Sequence, residues 1–328
     1  VGGFTACGYF MAKHLRKELN VPIGLINSSW GGTRIEPWTP PVGFKNVPAL
    51  ADIYRQIEKL DPKNAEYKKK LGAYLDSVDE WLKESKAAAE NGEPIGDLPS
   101  FPADIEPLAS KKDSHQHPTT LYNGMIHALA GYGMRGAIWY QGESNHGEGM
   151  RYTEKMKALV GGWREIWGIG DFPFNFVQIA PYQYNEDVRI LPKFWVAQSA
   201  SLSIPNTGMV VTTDIGTLAD IHPRNKQEVG RRLALLALAK TYGKKDLVCD
   251  GPAFKSMAIE GSKVKLSFDN AEGLKSRDGK PLSWFEMVGE DTDFVKADAV
   301  IEGQSIVLSS PQVAKPVAVR FSWHRDAE

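Results

Sequence analysis

The chain reads as an α/β protein: a parallel sheet flanked by helices, with a helical insertion and a C-terminal antiparallel β segment. Three observations carry that reading. Short apolar runs at 22–27, 135–140, 173–179 and 208–213 alternate with amphipathic stretches, and strands alternating with helices mark a parallel sheet. Residues from about 42 to 119 interrupt that rhythm with helical spacing among lysines and glutamates. After Tyr242 the helical periodicity gives way to short alternating segments, such as 263–268 and 317–322, separated by turns. The expected division is an α/β domain over 1–243, carrying the insertion, and an antiparallel β region over 244–328.

The elements follow in order. A first helix over 5–19 places Cys7, Met11, Leu15 and Leu19 on one face. Residues 22–27 form a buried strand that runs into Ser28-Ser29-Trp30-Gly31-Gly32-Thr33. Adjacent glycines at a strand's carboxyl end permit positive φ and close approach of backbone N–H groups to a ligand, although a plain tight turn uses them equally. In the insertion, a helix near 50–60 is divided by Asp61-Pro62 from a longer one bearing Tyr67, Leu71, Tyr74, Leu75, Val78 and Leu82. Pro94, Pro99, Pro102 and Pro107 then mark an extended return. This is a helical hairpin set into a loop, as a rim or lid. His115 and His117 lie in the return without the further ligands a metal needs, so no metal centre and no cofactor are expected.

The strand at 135–140 ends in Gln141-Gly142-Glu143-Ser144-Asn145. A helix with Met156, Leu159, Val160, Trp163 and Trp167 leads to the strand at 173–179, and a shorter helix with Trp195 and Gln198 to the strand at 208–213. Next comes Asp220-Ile221-His222-Pro223, with Pro223 where a first-turn proline is tolerated, and a helix carrying Val229, Leu233, Leu236, Ala237 and Lys240.

Bulk properties exclude several classes. A formal net charge of -1 provides no electrostatic footprint for nucleic acid or an anionic membrane. No apolar run approaches the length of a spanning helix. Cys7 and Cys249 are too few for a disulfide framework. Nine tryptophans are many. Trp30, Trp38 and Trp139 fall near glycines at expected loop positions and suggest the flat apolar walls of a sugar site, whereas Trp163 and Trp167 read as core.

His222 sits between a strand and a helix, at the carboxyl end of the sheet where open α/β folds place their chemistry. Asp220, two residues earlier, could orient the ring and stabilise an imidazolium. Taken alone, the pair serves equally well as a helix cap and a surface loop residue.

Read together, three blocks resemble the sialate O-acetylesterase family of SGNH-type hydrolases. They are Asn27-Ser28-Ser29-Trp30-Gly31-Gly32-Thr33-Arg34-Ile35-Glu36, Trp139-Tyr140-Gln141-Gly142-Glu143-Ser144-Asn145 and Asp220-Ile221-His222-Pro223. Leu121-Tyr122-Asn123-Gly124-Met125-Ile126 and Asn225-Lys226-Gln227-Glu228-Val229-Gly230 are similar to family sequence as well. The likeness spans about 1–45 and 118 to the end. It implies a flavodoxin-like sheet and hydrolysis of acetyl esters on sialic acid or other glycans, with a serine nucleophile, a histidine base, an aspartate partner and an oxyanion hole. His222 then matches the base and Asp220 its partner. One residue separates them where many SGNH relatives have two, which keeps Asp214 in reserve. Gly31 and Gly32 match the oxyanion block, either Gln141 or Asn145 supplies a side-chain amide, and Trp30, Arg34 and Glu143 are the expected substrate contacts. The family acts largely on extracellular or lumenal glycans, so an extracytoplasmic location is implied.

One block departs from the family. Its nucleophile lies in a Gly-Gln-Ser-Asn-Met-like segment that this chain does not carry. Gly303-Gln304-Ser305 is followed by Ile306 and sits at a turn in the antiparallel tail, and Ser28 and Ser29 belong to the oxyanion block. The nucleophile is therefore expected upstream of residue 1, at the end of a central first strand in the order 2-1-3-4-5. Without that strand two rows of backbone polar groups would go unpaired, so the place is expected to be filled. The competing reading is a carbohydrate-binding protein on the same fold without the serine.

Overall fold

The computed structural model describes residues 3–244 and 246–327. In chain order it contains α1 (Ala6–Leu19), α2 (Pro41–Lys45), α3 (Ala51–Lys59), α4 (Ala65–Asn91), β1 (Ala137–Trp139), α5 (Arg151–Trp167), β2 (Phe174–Val177), α6 (Ile190–Ala200), β3 (Thr207–Val210) and α7 (Lys226–Leu236). The strands β4 (Ala253–Glu260), β5 (Lys263–Asp269), β6 (Phe285–Gly289), β7 (Val295–Lys296), β8 (Asp298–Glu302), β9 (Ser305–Ser309) and β10 (Pro316–Phe321) follow. The chain separates into two compact units, one of Val1–Ser29, Met134–Tyr152 and Phe172–Glu328, the other of Trp30–Gly133 and Thr153–Asp171.

In the first unit, α1 begins where the Thr5 hydroxyl accepts from Gly8 N at 3.2 Å and ends at Asn20, whose φ of 54° closes the last turn. Its apolar face packs on α7. A Cβ on Gly230 of α7 would lie 2.8 Å from the Cys7 carbonyl oxygen, so the two helices meet as closely as backbones can. Strands β1, β2 and β3 form a parallel sheet in that order, with Ile138 opposite Asn175 and Asn175 opposite Gly208. Cys7, Val177, Val210, Val229, Leu233 and Leu236 form one buried cluster, which joins the sheet to α1 and α7. β2, Phe-Asn-Phe-Val, is buried along its whole length, as a central parallel strand should be. Gln198 on α6 ties off its end: the side-chain amide accepts from Ile179 N at 3.0 Å, and Trp195 Nε1 donates to Ile179 O at 2.9 Å.

Two expectations change here. Residues 22–27 are extended but belong to no ladder, and Leu25 and Ile26 are 37% and 52% exposed. Among the described residues no strand pairs with the outer edge of β1, the edge at which a first strand from ahead of residue 1 is expected. With no neighbour to take up the N–H and C=O groups of 22–27, its apolar residues alone do not make it a strand. Second, α7 starts at Lys226 under an Asn225 cap, whose Oδ1 accepts from Glu228 N at 3.1 Å. Pro223 therefore lies ahead of the helix and not in its first turn.

The later strands of the same unit form two antiparallel sheets, β4-β5-β9-β8 and β10-β6-β7. Val264, Leu266, Phe285, Met287, Ile306 and Leu308 fill their shared core. Ser305 opens β9 opposite Glu302, just past the positive-φ Gly303, so the Gly303-Gln304-Ser305 echo is a hairpin turn.

In the second unit, α4 is the long helix of the insertion. Asn64 Oδ1 caps it by accepting from Glu66 N at 2.8 Å, and Gly92 at φ 71° ends it. α2, α3 and α5 share a core of Phe44, Leu50, Ile53 and Ala158. Trp163 Nε1 donates to Trp38 O at 2.9 Å, and Trp167 Nε1 to Tyr132 O at 3.1 Å, so both indoles are structural, as expected. Trp38 is buried too, at 3% exposure. In the first unit, Trp139 is buried beside Phe174 on the sheet. Of the three tryptophans proposed as cleft walls, only Trp30 is exposed, because the other two find core contacts that remove them from solvent.

Candidate active site

In the first unit, the loop after β1 is a closed hydrogen-bonded structure. Gly142, at φ 158°, packs so closely that a Cβ would lie 2.8 Å from both Ile179 Cγ2 and Phe194 Cε1, so the position excludes any side chain. Asn145 N donates to Gly142 O at 2.8 Å and starts a short 3-10 turn. Gln141 Nε2 donates to Asn145 Oδ1 at 2.8 Å, while the Tyr152 hydroxyl donates to Gln141 Oε1 at 2.9 Å. Asn145 Nδ2 reaches Glu148 Oε1 at 3.1 Å. Tyr152, Gln141 and Asn145 thus form a chain that locks the rotamer of Asn145 with its amide nitrogen as the donor end.

Glu143 follows Gly142 and is half-buried. Burial raises its carboxyl above the usual range, opposed by the charges of Lys226 and His222. His222 and Glu143 therefore lie within electrostatic reach of each other. Lys226, on the first turn of α7, lies with Nζ 4.8 Å from the centre of the Tyr140 ring, and burial together with Glu143 holds the Tyr140 phenol protonated. Beside them, His146 stacks on Tyr184 with centroids 4.0 Å apart, and its Nε2 faces Glu186 Oε1 at 2.8 Å, out of line for a hydrogen bond. No motif marked Tyr184 or Glu186, and Lys226 lay in a block similar to family sequence with no role attached to it; His146 directly follows Asn145 and could have been marked by position alone.

The sign of one pH effect follows from Glu143. Its folded-state carboxyl titrates above the ordinary value of 4.5, so ionising it costs stability as the pH rises past that value. Glu143→Gln carries no such cost. In urea melts its stability relative to wild type is expected to be flat below about pH 4.5 and to improve as the pH rises towards neutrality.

His222 is exposed. Its backbone N donates to Asp220 Oδ1 at 2.9 Å, an Asx turn that fixes the approach to the histidine, and Asp220 Oδ2 lies 3.7 Å from Arg224 Nε. Asp214 is held differently. Arg232 binds its two oxygens at 2.7 and 2.6 Å, and also binds Glu228, whose carboxyl is pulled down to about 2 by Arg231 and Arg232. That places Asp214 in a structural ion-pair network on α7.

The second unit carries the Trp30–Arg34 turn. Gly32 has φ 74°, a left-handed conformation that favours glycine. The buried Thr33 hydroxyl donates to Trp30 O at 2.8 Å and accepts from Trp38 Nε1 at 2.9 Å, closing the turn from inside. Beneath it Lys155 Nζ meets Glu36 Oε1 at 2.6 Å with both side chains buried. Trp30, 53% exposed, stacks on His115 at 5.5 Å with planes 10° apart. Among the described residues no three metal-ligating side chains gather. Ser29 Oγ, at the exposed end of the first unit's extended segment, donates to Asn27 Oδ1 at 3.0 Å.

Comparison with known proteins finds relatives of one kind. Residues 109–239, which include both the 141–145 and 220–222 loops, match the family model described as carbohydrate esterase, sialic acid-specific acetylesterase. The chain is 31% identical to the sialate O-acetylesterase of Rattus norvegicus and 28% identical to that of Mus musculus, each match covering 98% of this chain and 60% of the relative. Among solved structures, a carbohydrate acetylesterase from Xanthomonas citri superposes with a TM-score of 0.75 at 33% identity, over 99% of this chain and 61% of that one. The chain is similar to the sialate O-acetylesterases along nearly its whole length, and it spans about 60% of the length of the curated relatives it matches.

Proposed function

We propose that this chain forms the greater part of a carbohydrate O-acetylesterase acting on acetyl esters of sialic acid or other glycans outside the cytoplasm. The observation that supports this most is that His222 lies within electrostatic reach of Glu143 in the Gln141–Asn145 loop, both inside the stretch matched to sialic acid-specific acetylesterases. In this reading the nucleophile is a serine on a segment ahead of Val1. The His222 imidazole removes the serine proton as Oγ attacks the acetyl carbonyl, and the oxyanion forms against the Asn145 amide, with the Gly31–Gly32 backbone given an oxyanion role by its match to the family's block alone. The intermediate collapses as the imidazolium returns the proton to the departing sugar oxygen, leaving an acetyl-serine. Water, deprotonated by the same imidazole, then attacks that ester; the intermediate releases acetate and the serine oxygen recovers the proton. Asp220 fixes the histidine through its turn and its charge, and Trp30, Arg34 and Glu143 contact the sugar.

The test is acetate release by the full-length polypeptide from O-acetylated sialic acid and from acetylated xylo-oligosaccharides, with a fluorophosphonate probe to label the serine. Release from at least one substrate, abolished by the probe, is expected. No release from any acetylated sugar would return the chain to the role of a binding protein. No helix among the described residues is long and apolar enough to cross a membrane.

A further inference from the structure

We propose that Gln116, at the end of the helical insertion, is a positioning residue for the Gly31–Gly32 turn and through it sets the turnover rate. The proposal rests on the oxyanion role given to that turn in the preceding subsection. Gln116 Nε2 donates to Gly32 O at 2.8 Å, and Gln116 Oε1 accepts from Arg34 N at 3.0 Å. One side-chain amide thus grips a carbonyl and an N–H two residues apart, as a residue on a parallel neighbouring strand would. Its partners lie 84 and 82 residues away in the chain, so the grip ties the insertion's return to the turn.

The turn needs such a grip. A Cβ built on Gly31 or Gly32 would find nothing within 4 Å, so no side packing confines them. Their orientation depends on hydrogen bonds: Thr33 to Trp30 on the inner side, Gln116 on the outer. The same short helix, Ser114–Gln116, also supplies His115 to the Trp30 stack, which gives the segment two holds on one loop. Gln198 does the same for the end of β2, where one amide accepts from Ile179 N and faces Val177 O. An oxyanion donor acts through fixed direction, so loosening it weakens transition-state stabilisation more than substrate binding.

Gln116→Ala in the full-length enzyme is expected to lower kcat about 10- to 100-fold, below the loss from deleting a donor, with KM changed less than about threefold. Gln116→Glu keeps the acceptor for Arg34 N–H, but its ionised carboxylate cannot donate to Gly32 O. Its activity relative to wild type is expected to rise as the pH falls through the carboxyl range near 4 to 5, where a protonated acid regains the donor. That acid-side recovery separates positioning from mere packing. Wild-type kcat in Gln116→Ala, or a flat activity ratio in Gln116→Glu, would overturn the proposal. Should the full-length wild type release no acetate, the esterase reading itself fails. Hydrogen exchange then decides on the grip: lost protection of the Arg34 amide in Gln116→Ala supports it, and unchanged protection overturns it.

Discussion

His222→Ala is expected to reduce kcat/KM for acetyl-ester hydrolysis by about 10³-fold or more, a loss of about 4 kcal/mol of transition-state stabilisation. KM should change little, because an exposed imidazole that exchanges protons contributes to the transition state more than to the bound substrate. Asp220 refines the test. Its carboxylate accepts from the His222 backbone N–H, and Asp220→Asn retains an acceptor for that turn while deleting the charge. The loss in the asparagine variant therefore measures the charge alone and is expected to be about 10²-fold; a loss under about threefold would confine Asp220 to shaping the turn. Asp214→Asn, cutting an ion pair with Arg232 on α7, should lower stability and leave kcat near wild type. Steady-state kinetics with and without urea separate these outcomes. Full activity in His222→Ala would end the proposed mechanism.

Lys155→Ala is expected to cost about 3–5 kcal/mol of stability. Lys155 and Glu36 lie 2.6 Å apart with side-chain exposures of 4% and 8%, so truncating the lysine removes the cation held against that carboxylate in a buried site. The urea midpoint should fall at nearly unchanged slope. The double variant Glu36→Leu/Lys155→Met is expected to recover most of that loss, because an apolar pair removes both desolvation costs together. Lack of recovery would mean that neighbouring groups require the charges. Glu36 opens the turn that ends at Trp38, whose indole in turn holds Thr33. The single variant should therefore also loosen the Trp30–Arg34 loop, which hydrogen exchange at Arg34 would show.

What could be read from the residues alone was whatever depends on local periodicity and capping. The helix at α1, the two insertion helices α3 and α4, the strands β1, β2 and β3, and the change to antiparallel sheets after Tyr242 all carry their spacing in the chain. So do the three loop blocks, because each is contiguous. The run at 22–27 misled for a related reason: β-branched and apolar composition describes a strand's surface, but a strand also needs a hydrogen-bonded neighbour, and composition does not provide one. Trp38 and Trp139 misled because an aromatic near a glycine looks the same whether it lines a cleft or fills a core.

The candidate site divides in the same way. Residue types with distinctive acid–base chemistry, His222, Asp220 and Glu143, stood out in the sequence. Gln116 did not, since attention falls on the histidines either side of it and an amide acts only through the geometry of its two hydrogen bonds. The carboxyl shift at Glu143, the His146–Tyr184 stack with Glu186, and the Lys226 charge over Tyr140 join segments far apart in the chain. Sequence by itself determined the likeness to the sialate O-acetylesterases and the order of most helices and strands. Only the tertiary structure decided which residues are buried, what each hydrogen-bonds and which loop holds another in place, because desolvation and hydrogen-bond direction arise from neighbours that chain order does not specify.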